Sequence, residues 1–210
     1  MFIPITGGSE ASGVVITVRC PFCRREATFD RINNLRDWWI SSYYLGQRKC
    51  PNPECRGHIF FIYESQTKEV KIYPPPRIDF DSRNIPEKIV SVFEEALACH
   101  ANECFIAAGI MVRRTLEEIC ADKNASGNNL KERINSLRDK VILPKELFEG
   151  MDELRVLGND AAHVEAECFD DIGKEEIEIS IEFTKEILKA VYQYSDLLAK
   201  IKSLKRQNSV

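Results

Sequence analysis

Two cysteine pairs carry the plainest chemistry in the chain: Cys20-Pro21-Phe22-Cys23 and, after 26 intervening residues, Cys50-Pro51-Asn52-Pro53-Glu54-Cys55. A tight turn between two cysteines presents both thiolates to one ion, and two such turns complete the tetrahedral four-sulfur shell that zinc prefers. Four protein ligands leave no place for a water, so Cys20, Cys23, Cys50 and Cys55 predict a structural zinc rather than a catalytic one. The second pair is wider than the usual two-residue spacing, and His58, close behind Cys55, is an alternative fourth ligand. Cys99, Cys104, Cys120 and Cys168 are scattered through helical sequence and read as reduced thiols.

A second constellation is polar and helical. Gly158-Asn159-Asp160-Ala161-Ala162-His163 holds one of three histidines, with Arg155 one turn before it. Asn159 and His163 are four apart and share a helical face; so do Arg113 and Glu117, which that spacing allows to form an ion pair. Gly158 marks either a helix end or a point of close backbone packing. One reading makes these residues a buried network, Asn159 and His163 bonding to Arg113 and Glu117 across a helix interface. The other makes them a site.

The first part of the chain also interleaves Trp38, Trp39, Tyr43, Tyr44, Phe60, Phe61 and Tyr63 with Arg24, Arg25, Arg31, Arg36, Arg48 and Arg56. Placed on a surface, such residues stack bases and hold phosphates. The simpler expectation is that the rings form the core of a small module and the arginines solvate its rim.

The elements that must position these groups follow from the pattern. With 210 residues, 44% hydrophobic and 30% charged, the chain is long enough for a small module joined to a larger one. The formal charge of −4 is uneven: residues 1–84 hold 12 Lys+Arg against 9 Asp+Glu, residues 85–210 hold 17 against 24. That excludes a bulk polycation that binds phosphates indiscriminately, while leaving room for a local basic face. No apolar run reaches the roughly 20 residues of a membrane span and the N-terminus lacks the pattern of a secretory signal, so a cytoplasmic protein without membrane contact is expected.

Residues 1–80 read as short strands: Val14 to Cys20 runs into the first cysteine pair, and "IFFIYES" and "EVKIYP" flank a polar turn like a hairpin. The segment between the cysteine pairs reads as a loop with a short helix. The proline-rich stretch 74–86 is a stiff spacer and the expected boundary. Beyond Pro86, Ile89, Val90, Phe93, Ala96 and Leu97 recur at spacings of three and four. A second helix, through "CFIAAGIMVRRTLEEIC", has Ile106 and Ile110 among its apolar residues, and about five helices fill 86–205. The expectation is an α+β chain, mainly α: a β zinc ribbon followed by a helical bundle.

The segments "IPEKIVSVFEEALACHANECFIAAGIMVRRTLEEIC", "NLKERINSLRD", "ELRVLGNDAAHV" and "IEFTKEILKAVY" resemble, in order, the domain of unknown function 4145 family, over about Ile85 to Tyr192. That family is grouped with HEPN-like helical domains (higher eukaryotes and prokaryotes nucleotide-binding). The resemblance implies a module of a prokaryotic anti-phage defence or mobile-element system, working as a homodimer on RNA or DNA or with partner proteins. Many HEPN relatives are metal-independent endoribonucleases. The resemblance thus implies catalytic candidates: His163 for proton transfer, with Arg155, Asn159 or Arg113 stabilising charge at the scissile phosphate and Glu117 paired to Arg113. The active pattern sets an arginine four to six residues before the histidine, beside a polar residue; here Gly158 stands next to Asn159. The alternative is a non-catalytic scaffold whose zinc head binds protein or DNA, which the acidic balance of the helical part favours. A transcriptional or antitoxin-like zinc-ribbon protein is a third reading, resting on the basic head.

Overall fold

β-branched and aromatic runs separated by tight turns build the first part of the molecule, and amphipathic helices the second. The computed structural model describes residues 9–11, 13–162 and 172–207, and the chain divides into two units, Met1–Arg77 and Ile78–Val210. The fold is α+β.

In the first unit, β1 (Ser9–Ala11), β4 (Asp30–Arg31), β5 (Asp37–Ile40), β6 (Tyr43–Lys49), β7 (His58–Glu64) and β8 (Val70–Tyr73) form one antiparallel sheet in the order β1-β5-β6-β7-β8. β4 pairs with the far end of β6. A separate hairpin joins β2 (Thr17–Arg19) to β3 (Glu26–Thr28). The loop with a short helix expected between the cysteine pairs is instead strand. Trp38, Trp39 and Ile40 pair with Leu45, Tyr44 and Tyr43 across a turn at Ser41-Ser42. Aromatic residues favour pleated, half-buried backbone, and Ser41 supplies the left-handed turn residue at φ 56°, where a sequence reader looks for glycine or asparagine.

The long strand β7 buries alternate residues. Ile59, Phe61 and Ile72 join Ile16, Phe29, Cys20 and Cys50 in the core of this unit. Arg48 lies inside the same unit with its side chain 3% exposed, its guanidinium bidentate on Asp37 at 2.7 and 2.6 Å and over the Phe61 ring at 4.5 Å. The rim role expected for Arg48 therefore fails. Its charge is neutralised in the core, where an unpaired guanidinium would be costly.

The second unit holds α1 (Glu87–Ala101), α2 (Phe105–Asp122), α3 (Leu130–Leu137), α4 (Lys145–Ala162) and a long final rod. The rod comprises α5 (Lys174–Leu188), a π-helical turn (Lys189–Gln193) and α6 (Tyr194–Gln207). Asn129 caps α3 by accepting from the Glu132 amide at 2.9 Å, one of the amide groups a helix start leaves unpaired. Phe93, Leu97, Leu116, Ile119, Ile134 and Ile181 are fully buried at the centre. Phe80 belongs to this core as well, edge-on to Phe93 at 4.7 Å. Ile106 and Ile110, read as apolar positions of α2, are each 37% exposed. They sit outside the stripe formed by Ala108, Val112, Leu116 and Ile119. Buried hydroxyls are satisfied within their own helices: Thr115 donates to the Met111 carbonyl at 2.9 Å, and Thr184 to that of Ser180 at 2.7 Å.

Candidate functional site

The two cysteine turns of the first unit are built alike. In the first, the Cys20 amide donates to the Arg25 carbonyl at 2.9 Å and the Arg24 amide to the Cys20 carbonyl at 3.0 Å. In the second, the Cys50 amide donates to the Gly57 carbonyl at 2.8 Å and the Cys55 amide to the Asn52 carbonyl at 3.0 Å. Each turn closes on a left-handed arginine directly after its second cysteine, Arg24 at φ 64° and Arg56 at φ 48°. That curl swings both thiols of a turn to one side.

The result is a single cluster: Cys20, Cys23, Cys50 and Cys55 place their sulfurs within 4.8 Å of one another. Cys20 lies 3.8 Å from Cys55, and Cys23 3.7 Å from Cys50. A disulfide would need sulfurs about 2.05 Å apart. Ligands held about 2.3 Å from a central ion in a tetrahedron stand roughly 3.8 Å from each other, so the spacing fits four ligands around one cation. The thiols are not equivalent. The Arg25 amide holds the Cys23 thiol down at about 6, whereas burial pushes Cys50 up to about 12 and raises Cys55. Holding all four as thiolates this close together would take a positive charge at their centre. His58 does not substitute for Cys55; its ring stacks on Phe60 at 5.4 Å.

The candidate residues of the helical unit meet in part. Arg113 Nε lies 3.5 Å from Glu117 Oε1, on α2. Across the interface, Arg113 Nη1 donates to the Arg155 carbonyl at 3.1 Å. Arg155 turns its own Nε to Asp152, at 3.3 Å on α4. Gly158 is buried within α4 rather than at its end. Asn159 is on the same helix, but its side chain, and all of His163, fall outside the described residues. The network is therefore placed for Arg113, Glu117 and Arg155.

Three features escaped the sequence reading. Glu118 is 5% exposed yet charged, held by Lys88 at 2.7 Å and Arg114 at 2.6 Å. Its spacing from Arg114 was the available signal. Tyr192 donates to Asp122 at 2.8 Å with Lys123 over its ring at 4.2 Å, a contact that joins residues 70 apart in sequence. The third is the exposure of Trp38, Phe60 and Tyr73. No helix among the described residues is long and apolar enough to cross a membrane.

A protein-family model described as "Domain of unknown function (DUF4145)" matches residues 94–207. Neither a curated protein nor a solved structure matches the chain.

Proposed function

The chain belongs to the DUF4145 family, and from that premise we propose that it is a nucleic-acid-associated module of a prokaryotic defence or mobile-element system that binds rather than cuts. A zinc-ribbon head engages the nucleic acid, and a HEPN-like helical unit assembles as a homodimer. Zinc in the four-thiol centre supplements the small apolar core of the head.

The observation that carries the binding-only reading is the state of the two arginines best suited to a scissile phosphate. Arg113 is held by Glu117 and the Arg155 carbonyl, and Arg155 by Asp152. A cation that stabilises a developing phosphorane charge must be preorganised toward an open space; these face protein acceptors. The charge distribution supports nucleic acid as the head's ligand: residues 1–77 carry 11 Lys+Arg against 7 Asp+Glu, on a chain that is negative as a whole. Support for the dimer comes from α6. There Tyr194, Leu197, Leu198, Ile201 and Leu204 are between 48% and 62% exposed, at the three-and-four spacing of a helix–helix seam.

The test is incubation of the zinc-loaded chain with single-stranded RNA, without divalent metal in solution, beside His163→Ala. RNA that is retarded by both proteins and remains intact is the expected result. Cleavage by the parent chain that His163→Ala abolishes would replace this reading with the endoribonuclease one.

A further inference from the structure

We propose that the solvent side of the head's sheet is a platform for single-stranded nucleic acid, with Trp38, Phe60 and Tyr73 stacking on unpaired bases. This rests on the nucleic-acid reading above and adds to it the face and the state of the strand.

The register places the rings. Residues paired directly across strands project from the same face of a sheet, and alternate residues along a strand return to it. Trp38 pairs with Leu45, Leu45 with Ile62 and Ile62 with Lys71; one step further along, Gln47 pairs with Phe60 and Phe60 with Tyr73. These residues therefore share one face. The opposite face carries Phe61 and Ile72 into the core, along with Ile59.

A head this small has few large side chains, yet five rings stand about half exposed; Phe22 lies in the first cysteine turn and Trp39 on the other face by register, while Trp38 at 50%, Phe60 at 54% and Tyr73 at 46% share this one. They border a hollow of about 750 Å³ floored by Leu45, Gln47 and Ile62, with Arg36 on its rim. Leaving half of each ring in water forgoes apolar burial that the unit could use, and contiguous apolar patches of this kind mark binding surfaces. Neighbouring strands lie about 4.8 Å apart and residues advance about 3.4 Å along each. Phe60 and Tyr73 are thus adjacent rungs, and Trp38 stands diagonally roughly 12 Å from Phe60. A strand crossing β5 to β8 obliquely meets all three.

The positive balance of the head, 11 Lys+Arg against 7 Asp+Glu over residues 1–77, favours nucleic acid over an apolar peptide. By register Lys49 and Lys71 lie on this same face, while the buried Asp37–Arg48 pair belongs to the other and cancels itself. Acidic residues reach the ring face at its borders: Glu10 opposite Trp38 on the edge strand β1, Asp30 opposite Lys49, and Glu64, which accepts from Thr67 at 3.1 Å. Exposed rings with lysines on the same face and an arginine on the rim are an arrangement that stacks bases and follows a phosphate backbone. Base faces are open to such rings only when unpaired, since a duplex stacks them on each other and presents edges to its grooves.

The experiment uses the zinc-loaded full chain and fluorescence anisotropy with a labelled oligouridylate of about 12 nucleotides, beside a blunt RNA duplex and a blunt DNA duplex of similar length. Expected are binding of the single strand, at least tenfold weaker binding of the duplexes, and quenching of tryptophan fluorescence. Trp38→Ala and Phe60→Ala should each weaken binding about tenfold, with zinc content and melting unchanged. Trp38→Phe and Phe60→Tyr, which keep a stacking face, should restore most of it. Lys49→Ala should lower the slope of log affinity against log salt by about 0.7. Single-strand binding that ignores the ring substitutions, or duplexes bound equally well, overturns the platform and leaves the broader nucleic-acid reading intact. Failure to bind any of these nucleic acids removes both, and leaves the ring face to a protein partner.

Discussion

Gly158 packs its backbone against the side-chain stem of Arg113: a Cβ added at Gly158 would stand 2.5 Å from the Arg113 Cβ. The glycine lets α4 approach α2 closely enough for Arg113 to reach the Arg155 carbonyl at 3.1 Å. Gly158→Ala gains up to about 1 kcal/mol of helix propensity. It must also push two helices apart, because the atom it meets is fixed to the α2 backbone and cannot swing away. Overpacking of that kind costs about 1–3 kcal/mol, so the variant should melt lower by circular dichroism at 222 nm. A melting temperature equal to or above that of the parent would show that the helices do not meet as described.

The four-thiol centre predicts about one zinc per chain by elemental analysis. Replacing Cys50 or Cys20, both buried in the core of the head, with serine should lose the metal and the ordered environment of Trp38 and Trp39. The helical signal should persist, because the core around Phe93 and Leu116 is separate. Affinity should fall as pH falls, since protons compete with the ion for all four sulfurs. A metal-free chain that keeps its near-ultraviolet spectrum and tryptophan emission would remove the structural role assigned to the ion.

These two sites differ in how far they could be read from sequence, and the difference is physical. The cysteine turns are local: a few residues determine where two sulfurs point, and two turns need only be brought together. The helices after Pro86 were equally legible, because Ile89, Phe93 and Leu97 repeat at helical spacing. The β5–β6 hairpin was not. Its turn, Ser41-Ser42, lacks glycine or asparagine, and its aromatic residues fit a loop's core as well as a strand. Arg48 was misplaced because its partner Asp37 is 11 residues away and only the pleat brings the two together. Phe80 lay inside a stretch read as spacer, where proline content masked one anchoring ring.

Glu118 makes stability depend on acid. The ammonium of Lys88, and then the guanidinium of Arg114, hold its carboxyl below the ordinary value of 4.5. The folded state therefore binds its proton less readily than the unfolded chain does. The contribution is fully present above the unfolded value and is lost as pH falls through the lower folded one. Lys88 and Arg114 are 73% and 51% exposed, so screening reduces the pair to about 1 kcal/mol. Urea titrations should find Glu118→Gln less stable by about that amount at pH 7, and the gap should close in strong acid. A gap that stays constant from pH 7 to strong acid would mean the carboxylate charge plays no part.

The exposed stripe of α6 gives the last prediction. Leu197 is 56% exposed and Ile201 48%, one helical turn apart on the same side, and no described residue of the unit covers them. Burying them against a second copy removes roughly 1–2 kcal/mol of unfavourable hydration per side chain, summed over the stripe on both copies. Light scattering should then report a dimer at micromolar concentration. Leu197→Glu with Ile201→Glu should yield a monomer, since each introduced carboxylate would face its own counterpart across the seam. The core beneath is untouched, so the melting temperature of the dissociated chain should depend little on the substitution. If the parent chain is already monomeric, α6 is not a homodimer seam; if the double variant stays dimeric, the copies pair through another face.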